Sequence, residues 1–242
     1  MTELTAAVRA RLAALAAEHG VPVAGEAALA RFLALLAADA AAPTAVRDPV
    51  RAVELHVADA LAGLAVPELS EATSIADLGA GAGVPALVLA AARPEALVFP
   101  VESAARKCAF LARAADAMGV ANVGIVHARA EEWRAGLGAV RAVTARALAP
   151  LAVIAEYAAP LLAPGGVLVA WKAAPEPGEV AAGDAAAAEL GLSAGQVVRV
   201  APLPGAERRT LHVYLKVGST PNRFPRRAGM ARKRPLGGST PG

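Results

Sequence analysis

The stretch Asp77-Leu78-Gly79-Ala80-Gly81-Ala82-Gly83-Val84-Pro85 is where this 242-residue chain shows its fold class. Glycine at alternate positions lets a backbone turn sharply and approach a ligand with no Cβ in the way. The apolar run Ser74–Leu78 before the loop reads as a buried strand, and Val84–Ala92 after it reads as a helix. The first N–H groups of such a helix are free to face an anion or a polar cofactor. Gly81-x-Gly83-x-x-Ala86 also satisfies the relaxed dinucleotide fingerprint. A nicotinamide-dependent oxidoreductase therefore stays in view beside enzymes that use other nucleoside cofactors.

Downstream of the loop, short apolar runs alternate with helical segments. Strands are predicted at Leu97–Val101, Val123–Val126, Ala142–Ala145, Val167–Trp171, Val197–Val200 and Leu211–Val217. Helices fit between them at Ala104–Met118, closed by Gly119, at Leu151–Leu162, opened by Pro150, and at Glu179–Leu190, closed by Gly191. Such alternation calls for a mostly parallel sheet with helices on both faces. Only the loop Ala201–Arg209 separates the last two strands, so they pair antiparallel at one edge. The predicted class is α/β, a mostly parallel seven-stranded sheet with an antiparallel last strand.

Upstream, the pattern is helical. Leu4, Val8, Leu12 and Leu15 recur at helical spacing, and Leu29, Phe32, Leu33 and Leu36 form a second stripe. Asp48-Pro49 reads as an N-cap followed by proline at the first helical position, with Val50, Val53, Val57 and Leu61 as the apolar face behind it. These helices are expected to cap the sheet. The chain thus divides into a helical cap over 1–66, a sheet domain over 67–218 and a tail over 219–242.

Composition narrows the classes further. Alanine supplies 67 residues, about half of the 56% hydrophobic total, so the positive mean hydropathy carries little bulk. One of the two longest uncharged stretches, Tyr157–Trp171, is broken by Pro160, Pro164 and Gly165-Gly166, and the other, Leu78–Ala92, by the glycine loop and Pro85. Nothing reaches the ~18–20 apolar residues of a membrane span. The start, MTELTAAVRARLAAL, lacks the pattern of a secretory signal. A single cysteine, Cys108, can neither staple a fold nor build a thiolate metal site, and no metal is expected. A soluble cytoplasmic protein, with no membrane and no obligate protein partner, is the expectation. Charge is placed unevenly. After Thr220 stand Arg223, Arg226, Arg227, Arg232, Lys233 and Arg234 with no acid, while the remaining 18 bases face 21 acids. A local basic tail of this kind suits phosphates or serves only as a solubilising extension.

Glu102 closes the second predicted strand about twenty residues after the glycine loop, where an acid can accept both ribose hydroxyls of NAD or of S-adenosylmethionine. Two other segments discriminate between these cofactors. Leu161-Leu162-Ala163-Pro164-Gly165-Gly166-Val167-Leu168 resembles the fifth strand of Rossmann-like methyltransferases, and Arg129-Ala130-Glu131-Glu132 stands where such enzymes hold the adenine edge. The terminal hairpin is similar to theirs as well.

Taken in order, the motifs resemble the bacterial 16S rRNA guanine-N7 methyltransferase family, also known as glucose-inhibited division protein B. The matching pieces begin with Val46-Arg47-Asp48-Pro49, His56-Val57-Ala58-Asp59, the loop Asp77–Pro85, Ala92-Arg93-Pro94-Glu95 and Val101-Glu102-Ser103. They continue with Arg106-Lys107, Ala128-Arg129-Ala130-Glu131-Glu132, Thr144-Ala145-Arg146-Ala147, Trp171-Lys172 and Glu207-Arg208-Arg209-Thr210-Leu211. The ending Arg223-Phe224-Pro225-Arg226-Arg227-Ala228-Gly229 with Lys233-Arg234-Pro235-Leu236 completes the set, which spans about residues 43 to 237. The chain departs from the family at Ala42-Pro43-Thr44-Ala45, where a Trp-Asn and an Asn-Leu-Thr signature are usual, and at Leu55, Ala60 and Ala82.

The resemblance implies a Rossmann-like class I methyltransferase that uses S-adenosyl-L-methionine and acts on 16S rRNA of the small ribosomal subunit. It implies cofactor contacts at Gly79, Val84, Ala130, Glu131 and Arg146, to which Gly81, Gly83 and Glu102 are added from the loop and ribose arguments. Lys172 and the tail residues Arg223, Arg226, Arg227, Arg232, Lys233 and Arg234 are candidate RNA contacts, and the tail is expected to lie away from the cofactor pocket. His56 and Asp59 share a helix face at i, i+3 and with Arg146 are candidates for positioning the substrate. The alternative for the pair is a hydrogen-bonded tie between cap and sheet. His19, His127, His212 and Cys108 read as structural. Guanine N7 carries an available lone pair, so no general base is expected. A small-molecule methyltransferase and an RNA-binding module with an inactive cofactor site remain as alternatives at this point.

Overall fold

The computed structural model describes residues 3–173, 175–202 and 209–237. One seven-stranded sheet runs through it in the order β3-β2-β1-β4-β5-β7-β6. The strands are β1 Ser74–Leu78, β2 Leu97–Glu102, β3 Val126–His127, β4 Val140–Arg146, β5 Leu162–Ala173, β6 Gln196–Val200 and β7 Arg209–Leu215. Strands β1 to β5 are parallel, and β7 is antiparallel to both β5 and β6. Ile75, Ala76, Val143 and Val169 have no exposed surface, as a parallel sheet covered on both sides requires. Strand order reverses between β1 and β4, which opens a crevice at their carboxyl ends.

The helices are α1 Ala6–Glu18, α2 Val23–Ala38, α3 Pro49–Ala52, α4 Asp59–Leu61, α5 Pro67–Ser70, α6 Ala86–Ala92, α7 Ala105–Met118, α8 Leu151–Ala158, α9 Pro177–Glu189 and α10 Met230–Lys233. Asp48 caps α3 by accepting from Val50 N–H at 3.3 Å, with Pro49 at the first position. The N-terminal helices share a core with the helical layer on one sheet face, where Leu29, Phe32 and Leu33 pack with Val88, Leu111 and Met118. Truncating Phe32 to alanine there would cost about 3–5 kcal/mol. α8 and α9 cover the opposite face.

Four features differ from the sequence reading. α6 begins at Ala86, because Val84-Pro85 still belongs to the glycine turn. α8 stops at Ala158, since Pro160 has no N–H with which to extend the helix, and Leu162 already opens β5. β3 contracts to two residues beside Gly124, with Val123 making one isolated bridge to Val98. The basic tail is folded: Phe224 and Ala231 are buried in the α8 core. Glu207 and Arg208 lie outside the described residues.

Candidate cofactor pocket

A cavity of about 410 Å³ occupies the crevice at the carboxyl ends of β1, β2 and β4. Its lining includes Gly79, Glu102, Glu131, Leu148, Tyr157 and Arg232. The size falls within the roughly 300–1,000 Å³ of small-molecule sites.

Glu102 is almost fully buried at the end of β2. Its Oε2 accepts from Gly81 N–H at 3.2 Å and its Oε1 from Ala104 N–H at 2.9 Å, with Lys107 Nζ 3.6 Å away. Each carboxylate oxygen has therefore used one lone pair and keeps another for a hydroxyl. Gly81 can present its N–H because it adopts φ +55, a region that β-branched residues avoid. Gly79, at φ +69, approaches Leu148 so closely that a Cβ there would stand 2.7 Å from Leu148 Cδ1.

Asp77 braces the loop from beneath. Oδ1 accepts from Thr144 Oγ1–H at 2.9 Å and Oδ2 from Ala86 N–H at 3.3 Å. Burial pushes the Asp77 carboxyl up to about 7, against these two hydrogen bonds, which favour the ionised form. The first helical N–H of α6 is thus held by Asp77 and does not face the cavity.

Of the expected cofactor residues, Gly79, Glu102, Ala130 and Glu131 meet in this cavity, and Gly81 supports it through Glu102. Gly83 and Val84 do not line it. A Cβ on Gly83 would strike Leu87 and Leu111, so this glycine serves helix packing, and Val84 is buried in the same core. Arg146 also turns away: its guanidinium donates to Leu55 O and to Asp59 Oδ2, each at 2.9 Å.

Asp59 is fully buried and paired with Arg146 and, at 2.7 Å, with Arg209, while Trp171 Nε1 donates to its carbonyl at 2.8 Å. His56 lies 3.1 Å from Thr44 Oγ1 and 3.3 Å from Val46 O, on a different set of partners. Both sit in or beside a π-helical turn, Val53–Ala58, whose wider coil spreads residues that i, i+3 spacing would align. Burial lowers the His56 pKa, with Arg146 adding to the effect. Asp59 thus ties the N-terminal helices to β4 and β7, whereas the partners of His56 lie within the N-terminal region. Cys108 donates to Glu102 O, and His212 is buried, whereas His127 is exposed near Ser103 O.

The expected RNA contacts stand in different settings. Lys172 is committed internally, to Ala149 O at 2.8 Å and Glu179 Oε1 at 2.5 Å. Arg226 forms a bidentate pair with the buried Glu156. Arg223 pairs on the surface with Glu189. Arg227, Lys233 and Arg234 are exposed. The tail is not remote from the pocket: Gly229 N–H donates to Glu131 Oε1 at 2.9 Å, and Arg232 donates to Leu148 O at 2.9 Å. Sequence reasoning missed Ala147, Leu148 and Tyr157 in the lining. Ala147 is the only non-glycine residue with positive φ among those described, at +52, and nothing in its sequence context announces it.

The family described as GidB, rRNA small subunit methyltransferase G, matches residues 26–208. The chain belongs to this family. A ribosomal RNA small subunit methyltransferase G of Rubrobacter xylanophilus is 40% identical over 198 residues, covering 79% of this chain and 76% of its own. Its counterpart in Deinococcus radiodurans is 39% identical over 242 residues, covering 96% and 94%. A SAM-dependent methyltransferase structure from Aquifex aeolicus superposes with TM-score 0.53 at 16% identity, over 69% of this chain and 93% of that one, and supports the Rossmann-like methyltransferase fold. Membership in the rRNA small subunit methyltransferase G family sets aside the oxidoreductase reading of the fingerprint. Among the described residues, no helix is long and apolar enough to cross a membrane.

Proposed function

We propose that this protein transfers the methyl group of S-adenosylmethionine to N7 of a guanine in 16S rRNA of the small ribosomal subunit. The observation that carries the reading is Glu102, fixed between Gly81 and Ala104 N–H groups with acceptor capacity left toward the cavity. A carboxylate so held suits a ribose diol, and Gly79 brings the loop so close to Leu148 that a Cβ there would clash with it. Glu131, with Ala130, would hold the adenine edge.

The cofactor supplies an electrophilic methyl on a sulfonium. The N7 lone pair forms the new C–N bond while the C–S pair stays on sulfur, so positive charge moves to the base and no proton must leave. The chain's task is then to orient the two reactants in line and to exclude water. A stacked guanine would have to be unstacked to reach the cavity. Exposed Arg227, Lys233 and Arg234 would meet RNA phosphates.

The test is incubation with methyl-labelled S-adenosylmethionine and small subunits that lack the modification, followed by chemical cleavage at 7-methylguanine. Label at one guanine of 16S rRNA is the expected result. Label on another atom, or none on RNA, would overturn the assignment.

A further inference from the structure

The basic arm, residues 220–237, has two faces. One is fastened to the protein: Phe224 and Ala231 are buried against the α8 core, and Arg226 grips Glu156. From this docked position the arm contributes Arg232 to the lining of the cavity. Gly229 N–H donates to one oxygen of the Glu131 carboxylate, and Arg232 reaches the rim beside Tyr157. The other face carries Arg227, Lys233 and Arg234 into solvent with no acid anywhere in the segment.

Arg232 has a specific purchase. It donates to the carbonyl of Leu148, the residue after Ala147 in its left-handed turn, and the Leu148 side chain lies against Gly79. A non-glycine residue at positive φ persists only where its surroundings hold it. Arg232 from the arm and Gly79 from the glycine loop are what grip the neighbouring Leu148.

We propose that the arm couples the two substrates: docked, it shapes the cofactor cavity through Arg232, and RNA phosphates on its outer face hold it docked. Arg232 is thus a positioning residue that acts through Leu148. The inference rests on the proposed function, because the bound molecules are S-adenosylmethionine and 16S rRNA. Thermodynamic linkage then requires that RNA tighten cofactor binding by the same factor by which cofactor tightens RNA.

The experiment is calorimetric titration of S-adenosylhomocysteine into the full chain, alone and with saturating small subunits. It is repeated for Arg232→Ala, Arg232→Lys and the triple variant Arg227→Gln, Lys233→Gln, Arg234→Gln. Small subunits should tighten S-adenosylhomocysteine binding to the unaltered chain severalfold. Arg232→Ala should weaken binding by up to about tenfold, because the cofactor must then restore a Leu148 position that a hydrogen bond from a charged donor holds in the free protein, and should erase the enhancement by RNA. Arg232→Lys should recover part of both, since lysine still offers a donor to Leu148 O. Arg232→Ala also loses its hydrogen bond to Leu148 O in the unliganded protein, so its melting temperature should fall slightly and Arg232→Lys should recover it. The readout that a merely structural role would not move is the enhancement of binding by small subunits. The triple variant should need more small subunit to reach the same enhancement. Equal affinity of Arg232→Ala and the parent, or affinity indifferent to RNA, would overturn the coupling. Failure of the full chain to bind S-adenosylhomocysteine at all would instead overturn the cofactor assignment.

Discussion

The two walls of the cavity are built in different ways. The glycine-loop wall is local and rests on backbone: Glu102 takes the N–H of Gly81 and of Ala104, residues close to it in the chain or on the adjoining strand end. The arm wall is assembled at long range. It joins Gly229 to Glu131, Arg232 to Leu148 and Arg226 to Glu156, pairs separated by 98, 84 and 70 positions. A wall of the first kind is fixed as soon as β1 and β2 pair. A wall of the second kind exists only when the arm is docked, so it can respond to what binds the arm.

The largest expected effect tests the rigid wall. Gly81→Val places a β-branched residue at φ +55 and must withdraw the N–H from Glu102. The thermal stabilisation produced by S-adenosylhomocysteine should vanish, while the unliganded protein loses only about 1–3 kcal/mol of stability. An intact ligand shift in this variant would show that the loop does not organise the site.

Next comes the anchor of the other wall. Arg226→Ala leaves Glu156 buried and unpaired, which should cost about 3–5 kcal/mol in chemical denaturation. The double variant Arg226→Met, Glu156→Leu should restore most of it. Equal stability of the single variant and the parent would mean that the arm is not held by this pair.

A smaller effect concerns Asp77, under the glycine loop. Its folded pKa, near 7, lies above the unfolded value, 3.8. The stabilisation from keeping this proton is complete below about pH 4 and is lost as pH rises to about 7. Asp77→Asn carries no titrating group, so its stability relative to the parent should grow across that window, as read from denaturation curves at several pH values. Parallel curves would remove Asp77 as the cause.

The smallest effect is an absent one. Because N7 loses no proton, His56→Ala should lower single-turnover methylation by a factor independent of pH. A rate restored only by raising pH would show that a base is required.

What could be read in the sequence follows the same division. The strand-loop-helix of residues 74–92, the acid at Glu102 and the Ala130-Glu131 turn are short patterns, and each stands near its expected place. The left-handed Ala147, the contact of Leu148 with Gly79 and the docking of Arg232 depend on chain segments meeting across the fold. Composition made the arm look like a free basic tail, because Phe224 and Ala231 are too sparse to signal a buried face. Lys172 and Arg226 illustrate the same limit: their partners, Glu179 and Glu156, lie on helices whose orientation no local pattern fixes. The pair His56 and Asp59 shows a further limit, since a π-helical turn changes which residues share a face.

The most direct test of the central claim, that the cavity between these walls is an S-adenosylmethionine site, is thermal unfolding of the full chain with S-adenosylmethionine, S-adenosylhomocysteine or NAD in excess. A ligand at a hundred times its dissociation constant stabilises the native state by about 2.7 kcal/mol, which is easily seen as a rise in melting temperature. The account predicts that rise for both sulfur compounds and none for NAD. A rise with NAD alone would contradict it.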